Sequence, residues 1–251
     1  MSSIDRNGYI DLTLFGMSIL IFMMIVMYGN WIAMSVVEEK SSRVMEVVLN
    51  AATPFQLMTG KVFGVGAVAF TQYAAIVVTG VVALLLQDPV ASAVLGSAGS
   101  GTNLQEGLTV GLLVLFGVYG VLGFLMFAVL YAAAGSLISR QEDVNAVVMP
   151  MTLVSTAGYL IGTYAALGLF DIRSGMITGL AQVPLLSPFM MLGRISKGVA
   201  APWEIGLSVA LLVAFIGVAL WLASRIYAAG VLLYGQRPGV GAVVRMVREG
   251  M

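Results

Sequence analysis

The sequence predicts an all-α, polytopic helical membrane protein, and three observations carry that prediction. Of 251 residues, 60% are hydrophobic and 10% are charged, whereas soluble domains run about 45–50% apolar and about 25% charged. The mean hydropathy is +1.01, which implies more apolar surface than a water-soluble chain of this length can enclose. The charged residues are also clustered, leaving uninterrupted apolar intervals of the roughly 20 residues that a spanning helix requires.

Five such intervals have helical character, at about 12–37, 62–87, 107–139, 144–170 and 205–224. The first, LTLFGMSILIFMMIVMYGNWIAMSVV, has Trp31 near one interface and is closed by Glu38, Glu39 and Lys40. A sixth interval, about 174–193, contains Pro184 and Pro188; proline lacks an amide donor and clashes with the preceding turn, so a continuous helix is disfavoured there. Positive charges decide how to read it, because cytoplasmic loops carry the Lys and Arg excess. If 174–193 is a re-entrant hairpin and the N-terminus is outside, eight positive residues fall inside and four outside; if it crosses, the division is six and six. The hairpin is therefore expected, buried in protein near the outer face because broken backbone at membrane depth needs such cover. The tail, 225–251, is then cytoplasmic. Residues 1–11 do not form a signal peptide, since Asp5 and Arg6 cancel and the apolar run that follows is too long; the favoured expectation is a chain that begins partway through a longer protein.

Twelve basic and twelve acidic residues give zero formal net charge, which removes a whole-molecule electrostatic case for nucleic-acid binding. Histidine and cysteine are absent, excluding disulfides, Cys or His metal sites and any nucleophile that relies on an imidazole base. An intramembrane aspartyl protease would need acids inside the spans, yet Asp88, Asp143 and Asp171 stand at span ends. No catalytic, cofactor-binding or metal-binding residue is assigned. The phosphate-binding pattern G-x-x-x-x-G-K-[ST] is also missing: Gly60-Lys61 is followed by Val62 and lacks the upstream glycine. The run GSAGSG at 96–101 has no lysine and reads as an external loop.

The densest polar information lies in VVEEKSSRVMEVVLNAATPFQLMTGK, residues 36–61. Val37, Val44, Val48 and Ala52 fall at helical spacing while Glu38, Glu39, Arg43, Glu46 and Asn50 take the other faces, which predicts an amphipathic helix over 38–50. Thr53-Pro54 stops it. Two readings stay open, an ordinary interfacial helix and a docking helix for a cytoplasmic protein. The balance of Glu38, Glu39 and Glu46 against Lys40, Arg43 and Lys61 suits the second, since a helix lying on anionic lipid would be basic.

This stretch, continued by VFGVGAVAFTQY, closely resembles the cytoplasmic coupling segment of type 2 ABC exporter permeases, in the ABC-2 branch that includes the sodium-efflux permease NatB. VPLLSPFMMLGRISKG with PWEIGLSVALL resembles that family's extracytoplasmic re-entrant hairpin and last span, and ASRIYAAGVLLYGQRPG its cytoplasmic tail. The resemblance runs in order over nearly the whole chain, but the branch's usual first span and extracytoplasmic domain are not in this sequence. It implies a permease subunit in a prokaryotic plasma membrane that forms a homo- or heterodimer and binds no cofactor itself. ATP and Mg would be held by a separate cytoplasmic ATP-binding-cassette ATPase, docked through Glu38, Glu39, Lys40, Arg43 and Glu46, with Val44, Val47 and Val48 seating the helix. Substrate, sodium or another small solute, would be exported. A channel, a non-transporting scaffold and, least favoured, an intramembrane enzyme are the alternatives.

Polar residues inside the apolar intervals, Asn30, Thr71, Gln72, Asn145 and Gln182, are candidates either for interhelical hydrogen bonds or for a substrate path. Small-residue pairs at Gly60/Gly64 and Gly158/Gly162 permit close helix approach. The 16 methionines read as adaptable packing.

Overall fold

A computed structural model describes residues 3–41, 53–95, 110–138 and 140–232. Among the described residues there are seven α-helices and no strand: α1 (Ser3–Ser41), α2 (Pro54–Leu95), α3 (Val110–Ser136), α4 (Val144–Ala166), α5 (Gly175–Leu180), α6 (Ser187–Ser196) and α7 (Pro202–Leu232). Five are long and apolar enough to cross a bilayer, over Phe15–Lys40, Phe55–Ala83, Gly111–Ser136, Gln141–Ala166 and Pro202–Ile226. The chain is an all-α, multi-pass membrane protein. Residues 42–52, the 96–101 run and the tail beyond 232 lie outside the described residues.

Helix ends depart from the charge-free intervals where local chemistry overrides hydropathy. Helix α1 runs through the charges Glu38–Lys40 without a break, to 39 residues, and α2 reaches 42 residues. The start of α2 is set by a reciprocal capping box: the Thr53 amide donates to Gln56 Oε1 at 2.9 Å and the Gln56 amide to Thr53 Oγ1 at 3.3 Å. Pro54 then occupies the first helical turn, where its missing N–H is no loss. Helix α4 carries Pro150 within its length.

Helix α3 occupies the centre of the bundle, packed on α1, α7, α6, α2 and α4, while α2 and α7 lie at the periphery. The α1–α3 contact is the most extensive, and it is a small-residue seam. A Cβ on Gly29 would lie 2.6 Å from the Tyr131 ring, and one on Gly135 would lie 2.7 Å from the Ala33 carbonyl oxygen. Gly29/Ala33 and Tyr131/Gly135 are each four apart, so two turns of each helix meet along one face.

Of the two glycine pairs singled out above, only one marks a contact. Nothing comes within 4 Å of a Cβ built at Gly60 or Gly64. At Gly158 a Cβ would meet Phe189, and at Gly162 the backbone of Phe189 and Met190: this pair on α4 is the seat of α6. Pro188 packs onto Gly123, the midpoint of α3, and Phe189 reaches Phe127. The α5–α6 hairpin therefore enters the bundle to half its depth, with every residue from Ser187 to Arg194 buried. Pro184 falls in the turn between the two short helices, but Pro188 begins α6 instead of breaking it, because a proline in the first turn forfeits no intrahelical bond.

Candidate functional site

The polar residues gather at the two ends of the bundle. At one end α1 finishes beside the start of α2 and the end of α3, and three consecutive side chains each reach a different element. Glu38 accepts from Gln141 Nε2 at 3.4 Å, at the 3-10 turn (Gln141–Asp143) that precedes α4. Glu39 Oε2 lies 2.6 Å from Lys61 Nζ on α2. Lys40 Nζ donates to the Ser136 carbonyl at 2.9 Å, at the last residue of α3.

One of the expected docking charges has an internal partner. Lys40, read as a docking charge, is only 2% exposed and turns into the bundle. The last carbonyls of a helix have no partner of their own and carry the negative end of its dipole, so a lysine from a neighbouring helix is a fitting cap. Glu38 is exposed and Glu39 partly so; Arg43 and Glu46 lie outside the described residues, as do Val44, Val47 and Val48.

At the opposite end, Arg194 at the close of α6 and Glu204 in the first turn of α7 form a buried pair, 2.8 Å apart and 3% and 8% exposed. Arg194 also donates to the Ile172 carbonyl, in the connection from α4 to α5. Glu204 Oε2 accepts from the Ala201 amide at 3.1 Å, and the Glu204 carbonyl accepts from Gln182 Nε2 at 3.3 Å. One ion pair thus fastens the hairpin, the loop before it and α7. A buried charge pair is tolerated where further hydrogen bonds complete its shell, and here they do so for Glu204.

The five intramembrane polar candidates separate. Asn30 donates to the Val26 carbonyl at 2.7 Å and Thr71 to the Ala67 carbonyl at 2.8 Å, each within its own helix. Asn145 is exposed at the start of α4. Gln72 accepts a hydrogen bond from Tyr28, joining α2 to α1, and Gln182 belongs to the Glu204 network. The Tyr28–Gln72 contact lies at a cleft of about 60 Å³ flanked by Met23, Met27 and Tyr73. The sequence reading missed the tyrosines as interhelical ties: Tyr131 hydrogen-bonds Thr152 at 2.9 Å between α3 and α4, and Tyr119 bonds Ser208 between α3 and α7. The available signal was a phenol in mid-span, which must find a partner when buried.

A central helix clasped by four others, a hairpin dipping to half depth and charged clusters at the two ends make a polytopic membrane domain. The chain belongs to the ABC-2 family of transporter proteins, whose family model matches residues 5–225. It is similar to the uncharacterized protein YhaP of Bacillus subtilis (strain 168), with 33% identity over 232 residues, covering 92% of this chain and 54% of YhaP. It is also similar to the uncharacterized protein MJ1024 of Methanocaldococcus jannaschii, with 24% identity over 232 residues, 92% of this chain and 53% of MJ1024. The chain spans about half the length of these curated relatives. No solved structure matches it significantly.

Proposed function

We propose that this chain is the membrane-spanning permease part of an ATP-binding-cassette exporter, driven by a separate cytoplasmic ATPase that holds ATP and Mg. The observation that carries the reading is the ABC-2 family match over residues 5–225. The sequence has no phosphate-binding loop of its own, which is consistent with energy supplied from outside the chain. The end of the bundle where α1 stops at Ser41 and α2 begins at Pro54 is the cytoplasmic one in this reading, and the 38–50 segment is the docking element for the ATPase. Lys40, Lys61 and Arg140 belong to that end and Arg173, Arg194 and Lys197 to the other, in keeping with a cytoplasmic excess once Arg43 and the tail arginines are included. The N-terminus of the chain is then outside, in a prokaryotic plasma membrane, and a second permease subunit completes the assembly. The substrate class is a small solute, sodium among the candidates by family resemblance.

The test is copurification from the native membrane followed by reconstitution into vesicles. A stoichiometric ATPase and ATP-dependent solute movement are expected. Solute flux that ignores ATP would make the protein a channel, and neither ATPase nor flux would make it a scaffold; either result overturns the proposal.

A further inference from the structure

At the Arg194–Glu204 end, the bundle holds a wide-mouthed cavity of about 520 Å³, walled by the connection from α4 to α5 and by the connection from α6 to α7. Ile172, whose carbonyl takes the Arg194 guanidinium, stands in its wall. Three charged side chains line it, Asp171, Arg173 and Lys197. Two helices also end there, and a helix C-terminus left to itself favours a cation. Here both ends are closed by their own backbone. After α4, Gly168 takes a φ of +84° and the amides of Leu167, Gly168 and Leu169 return to the carbonyls of Thr163, Ala165 and Tyr164. After α6, Gly198 takes a φ of +65° and the amides of Lys197, Gly198 and Val199 return to those of Gly193, Ile195 and Arg194. Such closures satisfy the last carbonyls of a helix. Asp171 is also engaged within its own turn, since Oδ1 accepts the Arg173 amide at 3.0 Å. The charge that the cavity presents is therefore set by a guanidinium and an ammonium against a single carboxylate, which leaves one net positive charge.

The depth of the cavity and its rim narrow the ligand. The apolar span of α4 ends at Ala166 and that of α7 begins at Pro202, so the walls between them stand where hydrocarbon gives way to headgroups. Trp203, exposed at the start of α7, marks the same level, because indoles favour that interface. The rim is apolar: Leu167, Leu169, Phe170 and Met176 are all exposed, Leu169 and Met176 by 68% each, and a contiguous exposed apolar patch marks a surface that meets lipid or a partner. We propose that this cavity binds the phosphate of a phospholipid from the leaflet at this end, with Arg173 and Lys197 on the phosphate oxygens and the acyl chains passing over Leu167, Leu169 and Phe170. Guanidinium matches two phosphate oxygens at once and ammonium adds a point charge. Free phosphate has the same oxygens, but charge and rim both favour the lipid. A phosphodiester carries one negative charge and neutralises the cavity, whereas a terminal phosphate carries about 1.5–2 and would leave Asp171 facing an excess. Diffuse attraction to an anionic surface takes a cluster of about 4–8 basic residues, so two cations in a cavity point to a seated headgroup. The inference goes beyond the permease reading and needs only that the bundle lies in a bilayer.

The test is native mass spectrometry of the full chain, purified in a maltoside detergent and titrated with phosphatidylglycerol or with digalactosyldiacylglycerol, a phosphate-free lipid of matched chains. The unaltered chain is expected to retain one phosphatidylglycerol at concentrations where the galactolipid is not retained. Arg173→Gln/Lys197→Gln is expected to weaken that binding by about tenfold or more, the scale of a lost hydrogen bond to a charged group, and Arg173→Lys to keep part of it. Arg140→Gln, at the opposite end of the bundle, is expected to leave it unchanged. Leu169→Ser/Phe170→Ser is expected to weaken the lipid as well, and inorganic phosphate at equal concentration to leave it bound. Equal retention of the two lipids by the unaltered chain would show that phosphate is not recognised, a result that decides the matter even if a variant fails to fold. Full retention by Arg173→Gln/Lys197→Gln would place the lipid elsewhere. Displacement by equimolar inorganic phosphate, with no effect of the Leu169 and Phe170 changes, would make this a site for the free anion. Each of the three overturns the inference. No ATPase enters the assay, so the permease reading stands or falls separately, on copurification.

Discussion

Replacing Gly135 by alanine tests the seam on which the bundle is built. The added Cβ would lie 2.7 Å from the Ala33 carbonyl oxygen and 3.0 Å from its Cα, short of ordinary contact by about 0.7 Å. Both obstacles are main chain, so no side-chain rotation relieves them and α1 must move away from α3. A gap of about 0.5–1 Å forfeits roughly a quarter to a half of each contact's attraction, and overpacking of a well-packed interface costs about 1–3 kcal/mol. For a chain of this size that corresponds to a fall in Tm of roughly 3–10 °C. Thermal unfolding of the purified protein in detergent, followed by tryptophan emission, measures it. Gly64→Ala is the control: with nothing within 4 Å of the new methyl, it leaves Tm unchanged or raises it, because alanine is the better helix former by about 1 kcal/mol. If Gly135→Ala were as stable as the parent, or if the two variants fell together, α1 and α3 would not be in contact at this seam.

The ion pair at the other end makes a different demand. Arg194→Met and Glu204→Met should each lower stability by about 1.5–3 kcal/mol, the usual worth of a hydrogen bond to a charged group, while Arg194→Met/Glu204→Met should recover much of it; strictly additive losses in the same thermal assay would show that the two do not act as a pair. Gly162→Val places bulk against the backbone of Phe189 and Met190, and should raise protease sensitivity around residues 181–187 as α6 is displaced; unchanged cleavage would contradict the seating of the hairpin. Tyr119→Phe removes the bond to Ser208 between α3 and α7 and should cost about 1 kcal/mol by thermal unfolding, with no loss in Tyr164→Phe, whose side chain is exposed. For orientation, cysteine introduced at Gln141 should react with an impermeant maleimide only in inverted vesicles, and at Arg173 only in intact cells; the opposite pattern would reverse the assignment of the two faces.

The fold class was legible because hydropathy is a sum over many residues and tolerates local error. Helix ends were less so. Glu38–Lys40 look like the exit from a membrane, yet α1 continues through them because Lys40 finds a carbonyl 96 positions away, a partner no local pattern announces. The capping box at Thr53–Gln56 was readable in principle, since both partners lie three residues apart. Glycine spacing misled at Gly60/Gly64 and informed at Gly158/Gly162, and it overlooked Gly29/Ala33, because spacing states that close approach is allowed and not which helix arrives. Arg194 and Glu204 served only as boundary markers in the sequence, while their pairing across a loop required the hairpin to be folded first. Of the charges expected to dock, Glu38, Glu39 and Lys40 have internal partners, and a sequence pattern cannot tell an ammonium that caps a helix from one that waits for a visitor.

The length of α2 has a mechanical meaning of its own. From Lys61, where it is gripped, to Leu95 it extends 34 residues, about 51 Å at the α-helical rise, against about 40–45 Å for a whole bilayer with its headgroups. A helix of that length either tilts within the bilayer or projects beyond its headgroups, and Pro89, lacking an amide to donate, interrupts its hydrogen-bond ladder near the far end.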